Sequence, residues 1–302
     1  MSFRYMNPGL AELLDVSGGT NVTGKQYNPY GGTAFWQSSD SPAVILPEMP
    51  QEIYIHATLY LDTSKGNYPK CSFLPTDART GVVLEYGGSY RGWECDLWFD
   101  NVQNKSVYGE NSPLKTGKLH EILIYMKAGT STGLTVVSVN GKEVARASGR
   151  VMLTNEVRII CTEACFLLSN LIISDKPIDF REHVIQLPVK ATETDMTANE
   201  DGSYTADKEG QYLLQSVDTE TLLKQYGSNT KITGLEFCGN PVSCTGSELV
   251  NIVGIQKAKD GSTAEWGTAK LSMTPAPVHI AESVEMNLDD MGNCAIGIKA
   301  GV

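Results

Sequence analysis

The chain has 302 residues, 41% of them hydrophobic, and a formal net charge of −11. That is enough apolar material for two ordinary domains or one large β-structure with a real core, and it excludes a disordered chain. No basic cluster interrupts the acidic balance, which excludes a phosphate-binding surface for nucleic acid, and no apolar run approaches the roughly 20 residues of a membrane-spanning helix.

The opening MSFRYMNPGLAELLDVSGG lacks the basic end and apolar stretch of a signal peptide, so synthesis in the cytoplasm without export by the usual route is expected. Inside it, NPGLAELLDV has the pattern of a short helix. From there to about residue 187 the chain alternates short stretches rich in Val, Ile, Tyr, Phe and Trp with Gly, Asn, Asp, Ser and Pro, the signature of antiparallel hairpins. AVILP, EIYIHATLYLD, GVVLEYG, WECDLWFD, HEILIYMKAG, LTVVSVNGKEVARA and FLLSNLIISD all fit. In EIYIHATLYLD, Ile53, Ile55, Ala57, Leu59 and Leu61 form an apolar row and Glu52, Tyr54, His56, Thr58 and Tyr60 the opposite one, which places His56 on the exposed face.

Next comes YGGSYRGWECDLWFDN, where aromatics crowd beside glycines. Trp93, Cys95, Leu97 and Phe99 fall on the core row, while Glu94, Asp96, Trp98 and Asp100 form the outward row. Exposed aromatic faces stack on sugar rings or on protein partners, which makes Trp98, with Tyr90 and Arg91, the candidate ligand-binding set. A Glu94–Asp96 pair could act as acid and base in a glycoside hydrolase, but alternating polarity in an acidic protein also accounts for it. Asp62, Asp100 and Asn101 end predicted strands and could offer oxygens to Ca²⁺, without any EF-hand spacing. In SVNGKEV, Asn140-Gly141 suits a type I′ turn between two strands.

The seven cysteines are odd in number and scattered, and are expected to be reduced thiols. Cys161 and Cys165 lie four apart, about 13 Å along a strand at roughly 3.3 Å per residue, so they could meet only if the TEA between them turns tightly. No C-x-x-C or H-x₃-H partner completes a zinc set, and the Cys238/Cys244 spacing offers no standard pairing. No metal is therefore expected and no zinc by elemental analysis. No catalytic residue and no cofactor is indicated either, since G-x-S-x-G, P-loop, H-E-x-x-H and strand-associated G-x-G-x-x-G motifs are all missing.

Around residues 185–190 the character changes to polar, acidic and turn-rich, with almost no strand signal before YLLQSV, and a boundary is placed there. SVDTETLLKQYG then reads as a helix with Asp218 as N-cap, Glu220 in the first turn, Lys224 near the end and Gly227 as the stop. Strands resume with KITGLEFCG, LVNIVGIQKA, WGTAKLSM, SVEMNLDD and CAIGIKAGV, with Asp260-Gly261 turning one hairpin. The apolar row of CAIGIKAGV suggests a strand that pairs across subunits, and hence a homo-oligomer.

Three of these segments, EIYIHATLYLD, the run from Gly117 to Ala147 (GKLHEILIYMKAG…LTVVSVNGKEVARA) and LSNLIISDKPI, occur in the order of the G-x-x-H, V-N-G and S-N-x-x-x-S-D strands of laminin-G or concanavalin-A-like jelly rolls. Residues 33–187 thus resemble that family. The resemblance implies an all-β fold: an N-terminal jelly-roll sandwich (1–187, with an extension over 1–32) followed by a smaller β-rich domain with one short helix (188–302). Members of the family bind glycans, proteins or Ca²⁺, but this chain lacks the paired loop acids of the calcium-binding pattern. The remainder is similar in style to C-terminal modules of bacteriophage or prophage tail proteins. Together these imply a non-enzymatic, tail-associated structural or receptor-binding protein of a virion, whose partners are a surface glycan or protein receptor and other virion subunits. Two alternatives stand beside it: a carbohydrate-binding adhesin of a bacterial cell surface, and a glycoside hydrolase on the same jelly roll. Fold alone does not choose between them.

Overall fold

The structure is a computed structural model and describes residues 4–9, 20–30, 33–36, 43–62, 70–75, 80–99, 102–162, 166–244 and 251–301. The helix expected over NPGLAELLDV lies largely outside them, as do Asp100, Asn101 and Cys165. The chain divides into two compact units, residues 1–186 and 187–302, and each sheet draws its strands from one unit alone. Among the described residues no helix is long and apolar enough to cross a membrane.

The N-terminal unit begins with β1 (Arg4–Asn7), β2 (Thr20–Thr23), β3 (Thr33–Trp36), β4 (Ala43–Ile45), β5 (Glu52–Leu61), β6 (Lys70–Leu74) and β7 (Gly81–Tyr86). A one-turn helix, α1 (Gly88–Arg91), leads into β8 (Trp93–Phe99), followed by β9 (Val102–Val107), β10 (Leu119–Lys127), β11 (Gly129–Val139), β12 (Lys142–Val151), β13 (Glu156–Thr162) and β14 (Phe166–Ser174). They form two antiparallel sheets, one in the order β12-β11-β10-β5-β14-β3-β2 with β1 also on β14, the other β4-β13-β6-β7-β8-β9. Successive segments leave one sheet for the other and return, so the unit is a jelly-roll-type sandwich, and it is all-β.

The apolar rows meet inside. Ile53, Ile55, Ala57, Leu59 and Leu61 of β5 and Ile122, Ile124 and Met126 of β10 are buried in one cluster with Phe73, Leu84, Trp93, Cys95, Leu97 and Phe99 of the facing sheet. Period-two alternation is what lets each strand commit one face to that core. Asn140 and Gly141 take φ of 51° and 77° between β11 and β12, the geometry of the type I′ turn.

One expectation fails here. His56 is not exposed: its relative exposure is 0%, because the outer face of the eight-stranded sheet is covered by other segments of the unit. β13 belongs to the six-stranded sheet and β14 to the eight-stranded one, so these two strands do not pair with each other.

The C-terminal unit holds β15 (Val189–Thr194), β16 (Thr197–Ala198), β17 (Tyr204–Thr205), β18 (Tyr212–Val217), α2 (Thr219–Tyr226), β19 (Lys231–Val242), β20 (Asn251–Ala258), β21 (Thr263–Lys270), β22 (Ala276–Asn287), α3 (Leu288–Met291) and β23 (Cys294–Ala300). Its main sheet runs β15-β18-β23-β20-β21, and β16-β17 and β19-β22 are separate two-stranded ribbons. Helix α2 starts as expected, with the Asp218 side chain accepting from the Thr221 backbone N–H at 3.3 Å, and ends before Gly227 at φ 88°. The unit has a second, one-turn helix that was not expected: Asn287 and Asp290 make a reciprocal capping box at the end of β22. The segment after residue 188 shows almost no strand signal in its sequence, yet β15 pairs along β18. β23 is no edge strand. It lies between β18 and β20, so it offers no free edge to another subunit.

Limited proteolysis is expected to cut first between Asn199 and Gly210, where every residue is exposed and the only strand is the two-residue β17. First cuts within β5 or β10, detected by mass spectrometry of the fragments, would contradict this.

Candidate functional site

The site forms on the outer face of the six-stranded sheet, where β7, α1, β8 and β9 follow one another. The β7–β8 connection is closed by Gly87 N–H to Gly92 O and Gly92 N–H to Gly88 O, both 2.8 Å. Gly88 and Gly92 have φ of 82° and 67°, which L side chains rarely adopt, so YGGSYRGW can make this turn where a chain without those glycines would be strained. A Cβ on Gly87 would come within 2.0 Å of Glu94 Oε1, so the turn lies directly on that carboxylate.

The outward row of β8 is consequently not a solvated face. Glu94 and Asp96 are each 1% exposed. Arg91 Nε is 3.3 Å from Glu94 Oε1, and Ser106 Oγ of β9 donates to Glu94 Oε2 at 3.4 Å. Burial pushes the Glu94 carboxyl above its ordinary value, and Asp96 and Glu85 add to this against the opposing charge of Arg91. Burial also raises Asp96, against hydrogen bonds from Ser106 and Gln103. Behind the row, burial and the charge of Asp96 push the Cys95 thiol up to about 12, so this thiol is an inert core group.

Arg91 also lies over the Tyr108 ring, its guanidinium carbon 4.5 Å from the centroid. Tyr108 is 45% exposed and lines a groove of about 590 Å³ together with Lys105, Ser106, Val107, Lys142 and Glu143. Tyr90, on α1, is 92% exposed. Of the three residues singled out from sequence, Arg91 thus joins the carboxylates to the groove and Tyr90 projects into solvent beside it. Trp98 stands half-buried four residues along β8 from Glu94, opposite Gly81, about 13 Å away at roughly 3.3 Å per residue. Tyr108 was not legible: it directly follows a polar strand, VQNKSV, and the pairing of β9 with β8 brings it to Arg91. Chemically, the site offers a guanidinium stacked on an aromatic ring and open aromatic faces, with two buried carboxyls behind them.

A second polar cluster lies on the outer face of the other sheet. Glu121 on β10 accepts from Tyr30 Oη at 2.8 Å and from Thr58 Oγ1 at 2.9 Å, and meets His56 Nε2 at 3.0 Å. Asn170 donates to Thr58 Oγ1 at 3.2 Å and accepts from the Val184 backbone N–H, and Tyr30 stacks on His183 with ring centroids 3.4 Å apart. Asn170 reaches these partners from φ 52°, at an irregularity in the β14–β5 register that Asn tolerates better than most residues. Burial alone would raise Glu121, but hydrogen bonds from His56, Tyr30 and Thr58 outweigh it and hold the carboxyl below its ordinary value. With His56, Thr58 and Asn170 wholly buried, this cluster ties the chain around residue 30 and the segment 179–184 to the sheet.

No protein-family model matches the chain, and no curated protein matches it. Solved structures similar to it include a human galectin-16 variant (14% identity, 46% of this chain and 96% of that one, TM-score 0.33). The Caenorhabditis elegans galectin LEC-6 is similar at 8% identity over 51% of this chain and 96% of that one, TM-score 0.34. The carbohydrate-binding module CBM66 from Bacillus subtilis is similar at 11% identity over 52% and 95%, TM-score 0.32. The fold assignment rests on the strand order itself.

Proposed function

We propose that the N-terminal unit is a carbohydrate-binding module without catalytic activity, which recognises a surface glycan through Arg91, Tyr108 and Tyr90 at the rim of the groove, with Trp98 extending the contact along β8. The observation that carries this is Arg91, fixed between Glu94 and Tyr108 so that its guanidinium and the tyrosine face form one preorganised ledge. Sugar rings stack their apolar faces on aromatics and take hydrogen bonds on their hydroxyls, and a ledge already held in place loses little entropy on binding. In its finer form the proposal is a tail-associated structural or receptor-binding protein of a virion, the C-terminal unit serving attachment to neighbouring subunits. Shallow sites of this kind gain from repetition, since linked copies raise avidity by roughly 10²–10⁴.

A glycan array with the full chain tests the reading. Tyr108→Ala and Arg91→Ala are expected to weaken binding at least tenfold, about 1.4 kcal/mol, and Trp98→Ala to weaken it less. Unchanged binding in both of the first two variants would exclude this ledge. Adsorption to bacterial cells, compared between wild type and the same variants, tests the virion context.

A second reading, a glycoside hydrolase, is favoured by the raised carboxyls of Glu94 and Asp96. Against it, an acid must come within about 3 Å of the glycosidic oxygen, and both side chains are enclosed by the β7–β8 turn and the neighbouring strand β9, with 1% exposure. Release of reducing sugar by the wild type that is abolished by Glu94→Gln would establish the enzyme instead.

A further inference from the structure

The ribbon of β19 and β22 places three chemically different metal ligands on one face. Glu236 and Cys238 are two residues apart on β19 and therefore project to the same side, and His279 of β22 stands directly opposite Cys238 in the register. Cys238 Sγ is 3.2 Å from Glu236 Oε1 and 3.5 Å from His279 Nδ1, and His279 Nδ1 hydrogen-bonds to Glu236 Oε1. All three donor atoms lie within 4.8 Å of one another.

We infer that Glu236, Cys238 and His279 form a binding site for a divalent transition-metal ion, and that zinc is the ion the donor set suits. Tetrahedral zinc, with bonds of about 2.0–2.3 Å, holds its ligand atoms about 3.3–3.6 Å apart, which two of the three edges here already approach. The third edge is a hydrogen bond, and it opens when the cation takes the place of the proton between His279 and Glu236. The set of one thiolate, one imidazole and one carboxylate carries two negative charges, so a dication makes it neutral. Thiolate selects against Mg²⁺ and Ca²⁺, and the mixed N, O and S donors fit Zn²⁺. The Glu236 side chain is 5% exposed and that of His279 22%, so the carboxylate is shielded while the imidazole edge stays reachable from solvent. A bound cation deprotonates a coordinating thiol, so the Cys238 proton leaves as the metal enters. The three protein ligands among the described residues leave a fourth position for water or for a further group, the pattern of an exchangeable site. The sequence offered no such pattern because His279 follows Cys238 by 41 residues, and the inference replaces the expectation that no zinc is bound.

The test uses the full chain stripped with a chelator and then titrated with Zn²⁺ against a chromogenic competitor, with Co²⁺ as a spectroscopic stand-in. One equivalent is expected to bind, and Co²⁺ to give the near-ultraviolet thiolate charge-transfer band. Cys238→Ala and His279→Ala should each weaken Zn²⁺ binding by more than about 100-fold, beyond the roughly 10–100-fold typical of outer-shell partners, and Cys238→Ala should abolish the cobalt–thiolate band. Cys244→Ala, another free cysteine of the same unit, should leave both intact. Melting curves identify any variant that fails to fold, and in that event Glu236→Gln, which keeps the side-chain shape, should still weaken binding. Absence of stoichiometric Zn²⁺ binding to the wild type, or binding that survives loss of both Cys238 and His279, would overturn the site.

Discussion

Glu121→Ala is expected to destabilise the N-terminal unit by about 1–3 kcal/mol or more, the cost of leaving buried hydrogen-bonding groups without their acceptor. The Glu121 side chain is 18% exposed and its partner His56 is 0% exposed. Without the carboxylate, His56, Tyr30 and Thr58 lose a shared acceptor in a place that water does not readily reach. The pH dependence has a definite sign. Glu121 is depressed in the folded state, so its contribution is present above the unfolded value of about 4.3 and is lost as pH falls through the lower folded value. His183 acts in the same direction: burial lowers it despite the opposing charge of Glu121, so the unfolded state takes up its proton first, beginning near pH 6.5. Urea unfolding of wild type and variant should therefore show a gap that is full at pH 7 and narrows below about pH 4. A gap under about 1 kcal/mol at pH 7, the level of an exposed pair, would mean that the cluster does not hold the unit together.

Deleting residues 295–302 is expected to abolish the fold of the C-terminal unit altogether. β23 is the middle strand of five, with Gly297 opposite both Leu214 of β18 and Ile255 of β20. Its removal leaves two strands with unpaired backbone edges and takes Ile296 out of the unit's core. The approach is so close that a Cβ on Gly297 would lie 1.8 Å from Leu213 O. Gly297→Val should accordingly cost this unit about 1–3 kcal/mol by overpacking, although valine normally favours strands. Calorimetry and proteolysis of the truncated chain should show one cooperative unit, 1–186, surviving, with residues after 187 rapidly degraded. Retained protease resistance there, together with a mere change in mass in solution, would restore β23 to the edge role first expected of it.

Period-two alternation was sufficient to identify β5, β8, β10, β11 and β12 and to assign their core rows, because burial on one face is a local property of a strand. Asn140-Gly141 and the Asp218 cap were equally legible, since φ preferences and short-range hydrogen bonds act within four residues. The outer rows were not. His56, Glu94 and Asp96 have the same alternation as solvent-facing residues, and what buries them comes from outside their own strands: the chain around Tyr30 and the segment 179–184 over one sheet, and the α1 turn together with the side chains of the neighbouring β9 on the other.

The sequence by itself therefore determined the fold class, the hairpin turns and which half of each strand enters the core. The tertiary structure decided which polar groups lose water and which distant residues meet, as when Arg91 comes to Tyr108 and Cys238 to His279. The physical reason is that secondary structure and sidedness follow from neighbours along the chain, whereas the charge state and chemistry of a side chain follow from its neighbours in space, which strand pairing draws from tens of residues away.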